Sequence, residues 1–467
     1  MRTLKEHIEA VKSGSIDLAD FSAKVVEEAK RVQAAYAPFI SVAESIKFEV
    51  TPQSLLPGVP VAVKDNICTK GMRTTAGSKI LENYVPPFDA TVVEKVKKEG
   101  AGIVGKTAMD EFGFGTFSTN CAFGVPKNPL DPERSCGGSS GGSAGAVAAF
   151  KLPIVSIAES TGGSITCPAA FTGTVGITPT YGLVSRWGLI DYANSLDKIG
   201  TIGKSVYDAA LLLSAIAGYD EKDATSLRTQ NTDYAAFAKP DGKKLRIGLP
   251  EEYFSSAVDS GIIKEVERLA DRLNSLGFEL ERISLPSTEL AIPTYYIISM
   301  SEASTNLAKF SGLRYGLQLE FDEKQNIEEY FTRVRTEGFG EEAKRRIILG
   351  TFTRMAGYKD RYYLKALKIR KRIINEFKQA FAKVDVLLAP SMPIMPPKFS
   401  EIEKLEPAQV YMMDILTVAP NMAGMPTVAL PIGHINGLPV SVQVIADHLQ
   451  EGKAIQMASI IEGLNGR

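Results

Sequence analysis

The sequence predicts an α/β fold in which one large β-sheet is assembled from distant segments of a single chain. Short apolar runs with strand-like alternation occur in the first third and again near the C-terminus. Between them, residues 290–382 are strongly charged and carry apolar positions at helical spacing. No internal repeat is present. A chain of 467 residues is long for one core, and length alone would suggest two or three domains. Strands at both ends with helices between them fit one shared sheet better than separate units.

Residues 3–37 read as two helices, with Leu4, Ile8 and Val11 on the first and Leu18, Phe21, Val25, Ala29 and Val32 on the second. In LPGVPVAVKDN, residues 56–66, Val59, Val61 and Val63 alternate, which predicts a strand that delivers Lys64 at its end. DATVVEKVKKEG, residues 89–100, reads as a helix with Asp89 near its N-cap and Gly100 as its stop signal. AGIVGKT follows as a short buried strand. The segment SCGGSSGGSAG, residues 135–145, has the composition of a flexible linker. It nevertheless runs straight into the small-residue helix AGAVAAF, the apolar strand PIVSIA and a second glycine-rich turn, STGGSITCPAA. Two Gly/Ser loops around one helix predict a built site. Residues 205–285 alternate helix and strand in VYDAALLLSAIAG, KLRIGLP, IIKEVERLADRLNSLG and FELERISLP. Strands return over 385–445 in DVLLAP, TVALPIG and PVSVQVIA, and a last helix lies near 451–463.

Lys and Arg number 53 against 54 Asp and Glu, a formal net charge of -1. The basic excess of a broad nucleic-acid-binding surface is absent, which leaves only a local patch for such a role. No stretch of about 18 apolar residues occurs, so no membrane span is expected. The opening MRTLKEHIEAVKSGS is amphipathic and carries acids, unlike a signal peptide, and a cytoplasmic location is the expectation. Cys68, Cys121, Cys136 and Cys167 form no CxxC pair and are expected to be reduced, buried or half-buried thiols. With this spacing and only three histidines, no metal site is expected.

Gly100 to Thr107 fits the phosphate-loop pattern GxxxxGK[ST]. That loop needs a strand before it and a helix opening at the Lys-Thr step; here a helix precedes it and GIVG is itself strand-like. Gly137 to Gly141 fits G-x-S-x-G around Ser139. That elbow needs a histidine base and a carboxylate. The chain offers His7 in a polar N-terminal helix, and His434 and His448 in or beside predicted turns, although a distant histidine could still reach the site.

What remains is a site of serines, glycines and a lysine. A serine hydroxyl near neutral pH needs a base before it can attack. Lysine serves only when burial in apolar surroundings lowers its pKa from about 10.4 toward 7. Lys64, at the end of a valine-rich strand, occupies such a place; the alternative is a salt bridge to Asp65 or another acid. Amide hydrolysis also needs N–H donors for a tetrahedral oxyanion. Thr161-Gly162-Gly163-Ser164 can form a turn with several N–H groups pointing one way, its glycines tolerating the backbone angles and the close approach. The same residues also fit an ordinary tight turn.

G-x-P-x-x-V-K-D-N (Gly58 to Asn66), GGSSGGSAGAVAA (137–149) and GGSITCPAA (162–170) resemble the amidase signature family. Within it the chain is most similar to the A subunits of glutamyl-tRNA(Gln)/aspartyl-tRNA(Asn) amidotransferases, through 89–115, 181–200, 301–316, 337–352 and 422–433 as well. The resemblance covers nearly the whole chain. It implies a single α/β domain over 1–467, with N-terminal helices over 1–50, a mainly helical insert over 290–382, and a large mixed β-sheet covered by helices on both faces.

The resemblance further implies a serine amidase with a Ser–cis-Ser–Lys triad. By motif position Lys64 is the base, Ser139 the bridging serine with a cis peptide bond, and Ser164 the nucleophile. The oxyanion hole falls on Thr161, Gly162 and Gly163, with the Ser164 N–H. The implied substrate is glutamine. Arg346 would hold its α-carboxylate, which the guanidinium fork suits, and Asp414 its α-amino group, with Tyr296 a further pocket residue. Without the resemblance, Arg346 would read as a solvated position on a charged helix. The implied assembly is a heterotrimer with amidotransferase subunits B and C. There the ammonia released from glutamine converts Glu-tRNA(Gln), or Asp-tRNA(Asn), on the partner, which uses ATP and Mg²⁺; this chain needs no cofactor of its own. A near-neutral charge agrees with mischarged tRNA being held mainly by that partner.

The sequence departs from the pattern of those proteins in places. Its nucleophile loop reads E-S-T-G-G-S-I-T-C-P where S-D-T-G-G-S-I-R-Q-P is usual, so Ser160 replaces an aspartate and Thr166 an arginine. Other amidases of the family do carry I-T-C-P. The stretch from Pro153 to Ser164 is one residue longer than usual, which leaves Ser140 as the alternative to Ser139. Thr178 stands where a lysine is common. Two further readings stay open: a free-standing amidase acting on a different small amide, and a non-catalytic assembly subunit, which the altered loop would favour.

Overall fold

The computed structural model describes residues 2–239, 242–314, 316–321 and 324–466. In chain order its strands are β1 (Phe39–Val42), β2 (Pro60–Lys64), β3 (Gly102–Thr107), β4 (Lys127–Asn128), β5 (Asp131–Ser135), β6 (Val155–Ser160) and β7 (Val175–Thr178). They continue with β8 (Lys198–Gly203), β9 (Ile247–Pro250), β10 (Leu280–Ile283), β11 (Val386–Pro390), β12 (Thr427–Ile435) and β13 (Leu438–Ala446). Eleven of them form one sheet in the order β1-β3-β2-β6-β8-β7-β12-β13-β11-β9-β10, and β4 and β5 make a separate ribbon. β2 runs parallel to both β3 and β6, while β6 meets β8 antiparallel, so the sheet is mixed.

Strand side chains alternate between faces, and here both faces are apolar. Val61 and Val63 of β2 join one buried cluster and Ala62 the other; Ile157 and Ala158 of β6 divide in the same way. Helices Leu18–Tyr36 and Gly141–Ala149 supply one cluster. Helices Thr91–Lys98, Val206–Ile216, Ala291–Asn306 and Glu451–Leu464 help build the other. The sheet is thus covered on both sides. Among the described residues no helix is long and apolar enough to cross a membrane.

Several expectations change in detail. Asp89 lies next to the N-cap, which is Ala90, of helix Thr91–Lys98, and its side chain does not cap the helix. The Asp89 carboxylate instead accepts the Lys70 N–H and the Lys97 ammonium, each at 2.7 Å. The second glycine-rich turn is shorter than expected, because helix Thr166–Thr172 begins within it. β7 and β8 have no counterpart in the apolar pattern. β8 reads Lys-Ile-Gly-Thr-Ile-Gly, and its glycines hide the strand signal. A Cβ at Gly200 would stand 2.2 Å from the Ile177 carbonyl of β7, so close strand packing requires glycine there. The phosphate-loop match is confirmed as accidental. Lys106 lies inside β3, buried, donating to the Ile67 carbonyl at 2.7 Å and the Thr74 hydroxyl at 2.8 Å, with Asp65 at 3.5 Å.

Candidate active site

Three loops converge at the ends of β2 and β6. Lys64 ends β2, Glu159 and Ser160 end the neighbouring parallel strand β6, and Ser139 precedes helix Gly141–Ala149. Ser164 lies in the loop that leaves β6. Lys64 and Ser139 are fully buried and Ser164 keeps 7% exposure. The Lys64 ammonium donates to Ser139 Oγ at 2.8 Å, to Glu159 Oε2 at 2.8 Å and to the Glu159 carbonyl at 3.0 Å. The Gly138–Ser139 peptide bond is cis. Ser140, the alternative bridging serine, does not touch the amine. Its hydroxyl donates to the Glu159 carbonyl at 2.9 Å and its N–H to the Ser164 carbonyl at 3.2 Å, tying the two Gly/Ser loops together. Lys64 is thus paired with an acid, Glu159 rather than Asp65, and it also reaches a serine of the glycine-rich loop.

The turn at 161–164 is built as an N–H cradle. Among the described residues, the N–H groups of Thr161, Gly162 and Ser164 donate to nothing within the chain, whereas Gly163 gives its N–H to Ser160 Oγ at 3.2 Å. Gly163 has φ +146°, and a Cβ there would stand 2.2 Å from Thr417 Oγ1; one at Gly162 would stand 2.5 Å from the Tyr295 ring. Side chains are excluded at both positions. The histidines lie elsewhere: His7 bonds the Gly58 carbonyl, His448 the Ala423 carbonyl, and His434 sits in β12.

A second cluster adjoins this turn. Thr417, whose N–H donates to the Asp414 carbonyl, and Tyr295, edge-on to Tyr296, place it against Gly162 and Gly163. Arg346 is buried, not solvated. Its Nε donates to Glu342 Oε1 at 2.8 Å and its Nη1 to the Tyr192 hydroxyl at 2.6 Å. The guanidinium lies 5.1–5.6 Å from the ring centroids of Phe114, Tyr192, Tyr296 and Tyr411. Tyr296 donates its hydroxyl to Asp414 Oδ2 at 2.7 Å, and Thr116 donates to Oδ1 at 3.1 Å. Burial pushes the Asp414 carboxyl up to about 6. A cavity of 140 Å³ lined by Thr116, Arg346 and Tyr411 opens beside the cluster. Arg346, Tyr296 and Asp414 are thus brought together from the helical insert and the C-terminal segment.

A family model described as Amidase matches residues 20–455. This chain belongs to the amidase signature family. It is 45% identical over 469 residues to the A subunit of a glutamyl-tRNA(Gln) amidotransferase of Carboxydothermus hydrogenoformans, covering 98% of this chain and 96% of that protein. The corresponding protein of Methanococcoides burtonii is 48% identical over 407 residues, 87% of this chain and 84% of its own length. The crystal structure of the glutamyl-tRNA(Gln) amidotransferase A subunit from Thermotoga maritima superposes with a TM-score of 0.79 at 38% identity, over 94% of this chain and 90% of that one. A 6-aminohexanoate cyclic dimer hydrolase shares the fold, with a TM-score of 0.83 at 21% identity over 100% of this chain and 98% of that one.

The amidase site also contains groups that the motif reading passed over. Glu159 opens the E-S-T-G-G-S loop, yet only the departures at Ser160 and Thr166 stood out. Its carboxylate meets Lys64 and, at 3.2 Å, the Asn66 amide, across 93–95 residues of chain. Asp197, Tyr192, Thr116, Glu342 and Tyr411 carry no local signal, because each acts through a partner remote in sequence. Ser160 replaces its usual aspartate with a hydroxyl that donates to Asn421 Oδ1 at 3.2 Å. The Thr178 hydroxyl is buried without a partner.

Proposed function

We propose that this amidase is the glutamine-hydrolysing component of a tRNA-dependent amidotransferase. The observation that carries the reading is the 2.8 Å contact of the buried Lys64 amine with Ser139, beside a turn in which the Thr161, Gly162 and Ser164 N–H groups donate to nothing among the described residues. The identities of 45% and 48% with amidotransferase A subunits support glutamine as the donor. In this reading Lys64 is the base, Ser139 relays the proton and Ser164 is the nucleophile. Ser164 Oγ attacks the side-chain amide carbon, and the Thr161, Gly162 and Ser164 N–H groups receive the developing oxyanion. The C–N bond then breaks, ammonia leaves with the proton returned through the same groups, and water hydrolyses the glutamyl ester. Arg346 and Asp414 bind the α-carboxylate and α-ammonium of the substrate, with Tyr296 fixing Asp414.

The chain acts in a cytoplasmic heterotrimer with subunits B and C. Ammonia is consumed on the partner, which uses ATP and Mg²⁺ to activate Glu-tRNA(Gln) or Asp-tRNA(Asn). The experiment is purification of the chain alone and with its co-purifying partners, followed by assays of glutamine hydrolysis and of conversion of Glu-tRNA(Gln). Conversion that requires both glutamine and partners is the expected result. Faster hydrolysis of another small amide by the chain alone would establish a free-standing amidase. Glutamine-dependent conversion that survives Ser164→Ala would establish a non-catalytic subunit.

A further inference from the structure

A lysine that donates three hydrogen bonds has no lone pair with which to accept a proton. Lys64 does so: its three N–H groups are accounted for by Ser139 Oγ, Glu159 Oε2 and the Glu159 carbonyl, and the side chain has no exposed surface. Before this amine can take a proton from Ser139 it must lose one. The carboxylate in contact with it is that of Glu159 at 2.8 Å, itself 1% exposed.

The opposite oxygen of Glu159 is linked to a second buried carboxylate. Thr161 Oγ1 lies 2.7 Å from Glu159 Oε1 and 2.8 Å from Asp197 Oδ1. One hydroxyl proton cannot serve two ionised carboxylates. Burial, followed by the charge of Glu159, holds the Asp197 carboxyl well above the usual carboxylate range. The Thr161 hydroxyl, within donating distance of both, ties Glu159 and Asp197 into one buried network, in which Asp197 Oδ2 accepts the Tyr192 and Ala193 N–H groups at 2.9 Å. Glu159 is the carboxylate in direct contact with the amine. Also charged or titratable near this pair are Lys198 on β8, whose amine feels the Glu159 charge, and Asp110, whose carboxyl feels that of Lys64, while the Tyr192 ring edge meets Gly113 beside Ser139 and Glu159.

We propose that Glu159 is a positioning residue that takes the Lys64 proton, so that the base of this amidase is a lysine–carboxylate pair sharing one proton rather than lysine alone. The inference rests on the Lys64–Ser139–Ser164 reading. A proton passes from Lys64 Nζ to Glu159 Oε2, converting the ion pair to a neutral amine and a neutral acid. The freed lone pair takes the Ser139 hydroxyl proton, Ser139 takes that of Ser164, and the Ser164 Oγ–carbon bond forms. When the C–N bond breaks, the same chain runs backwards and delivers one proton to the leaving nitrogen.

The sign of a pH shift tests this. The neutral pair and the ion pair contain the same number of protons, so the working form persists down to the pH at which the pair takes up one more. Without the carboxylate the amine must release its proton to water, which requires a higher pH. Glutamine hydrolysis by the partner-bound wild-type enzyme, at saturating glutamine, is compared with that of Glu159→Gln and Glu159→Asp, with thermal unfolding as the check on folding. The acid limb of kcat is expected to move up by more than one pH unit in Glu159→Gln and to return toward wild type in Glu159→Asp. A limb that stays in place or moves down in Glu159→Gln overturns the proposal, since removing an anion that merely held the lysine charged would ease its deprotonation. If Glu159→Gln does not fold, Glu159→Ser carries the same comparison. A wild-type enzyme that hydrolyses no glutamine would instead overturn the underlying functional reading.

Discussion

Two buried lysines near the site differ in what surrounds them. Lys64 has three acceptors, whereas Lys198 is buried with no hydrogen-bond partner for its amine among the described residues. Burial, reinforced by the charge of Arg370, lowers the Lys198 amine to about 7. Its folded pKa lies below its unfolded value of 10.5, so the unfolded state binds more protons between these limits. Stability should therefore rise as pH increases through that window, and the penalty, on the order of 5 kcal/mol, is complete below about pH 7. Lys198→Met should raise the unfolding temperature at pH 6, with the gain shrinking toward pH 10; equal gains at both pH values would show that the amine is not the source. Lys64, Ser139 and Ser164 were legible in the sequence because their loops match contiguous motifs. Glu159 and Asp197 were not, because their meaning comes from contacts with residues 36 to 95 positions away.

Helix Gly141–Ala149 shows how an element can be dictated by its neighbours. Its small residues make it poor in intrinsic amphipathic character, yet it enters the site directly behind Ser139. A Cβ on Gly142 would stand 2.4 Å from the Pro38 carbonyl and 2.5 Å from Ala108 N and O. Those atoms belong to backbone and cannot rotate away. Gly142→Ala should cost roughly 1–3 kcal/mol in denaturant unfolding and should lower glutaminase activity by displacing Ser139. An unchanged midpoint and rate would mean that this helix is free to shift. The sequence revealed the helix and the strand before Ser164, since apolar runs bracket both. It concealed β7 and β8, where glycines demanded by close neighbours, the β7 carbonyl of Ile177 for Gly200 and helix atoms for Gly176 and Gly203, replace the residues that usually signal a strand.

At the scale of the whole molecule, the sheet brings together chain ends that composition alone would have assigned to separate domains. β2 and β6 position Lys64 and the Ser164 loop, while Tyr296 and Arg346 come from the helical insert and Asp414 from the C-terminal segment. The pocket therefore exists only in the complete fold, which is why Arg346 in isolation resembles one more solvated charge. Burial raises Asp414 to about 6, and only its ionised form can hold an α-ammonium. Below pH 6, kcat/KM for glutamine should fall about tenfold per pH unit, whereas kcat at saturation should lack that step because the bound ammonium keeps Asp414 ionised. Asp414→Asn should remove the step and raise KM. A step of equal size in kcat would place Asp414 in the chemistry instead.

The account as a whole turns on a covalent bond at Ser164. The partner-bound enzyme is mixed with glutamine, quenched in acid within the turnover time, digested and mapped by mass spectrometry. A glutamyl ester on the peptide containing Ser164, absent from the Ser164→Ala enzyme, is the predicted result. An adduct on any other residue, or wild-type glutamine hydrolysis by Ser164→Ala, would contradict it.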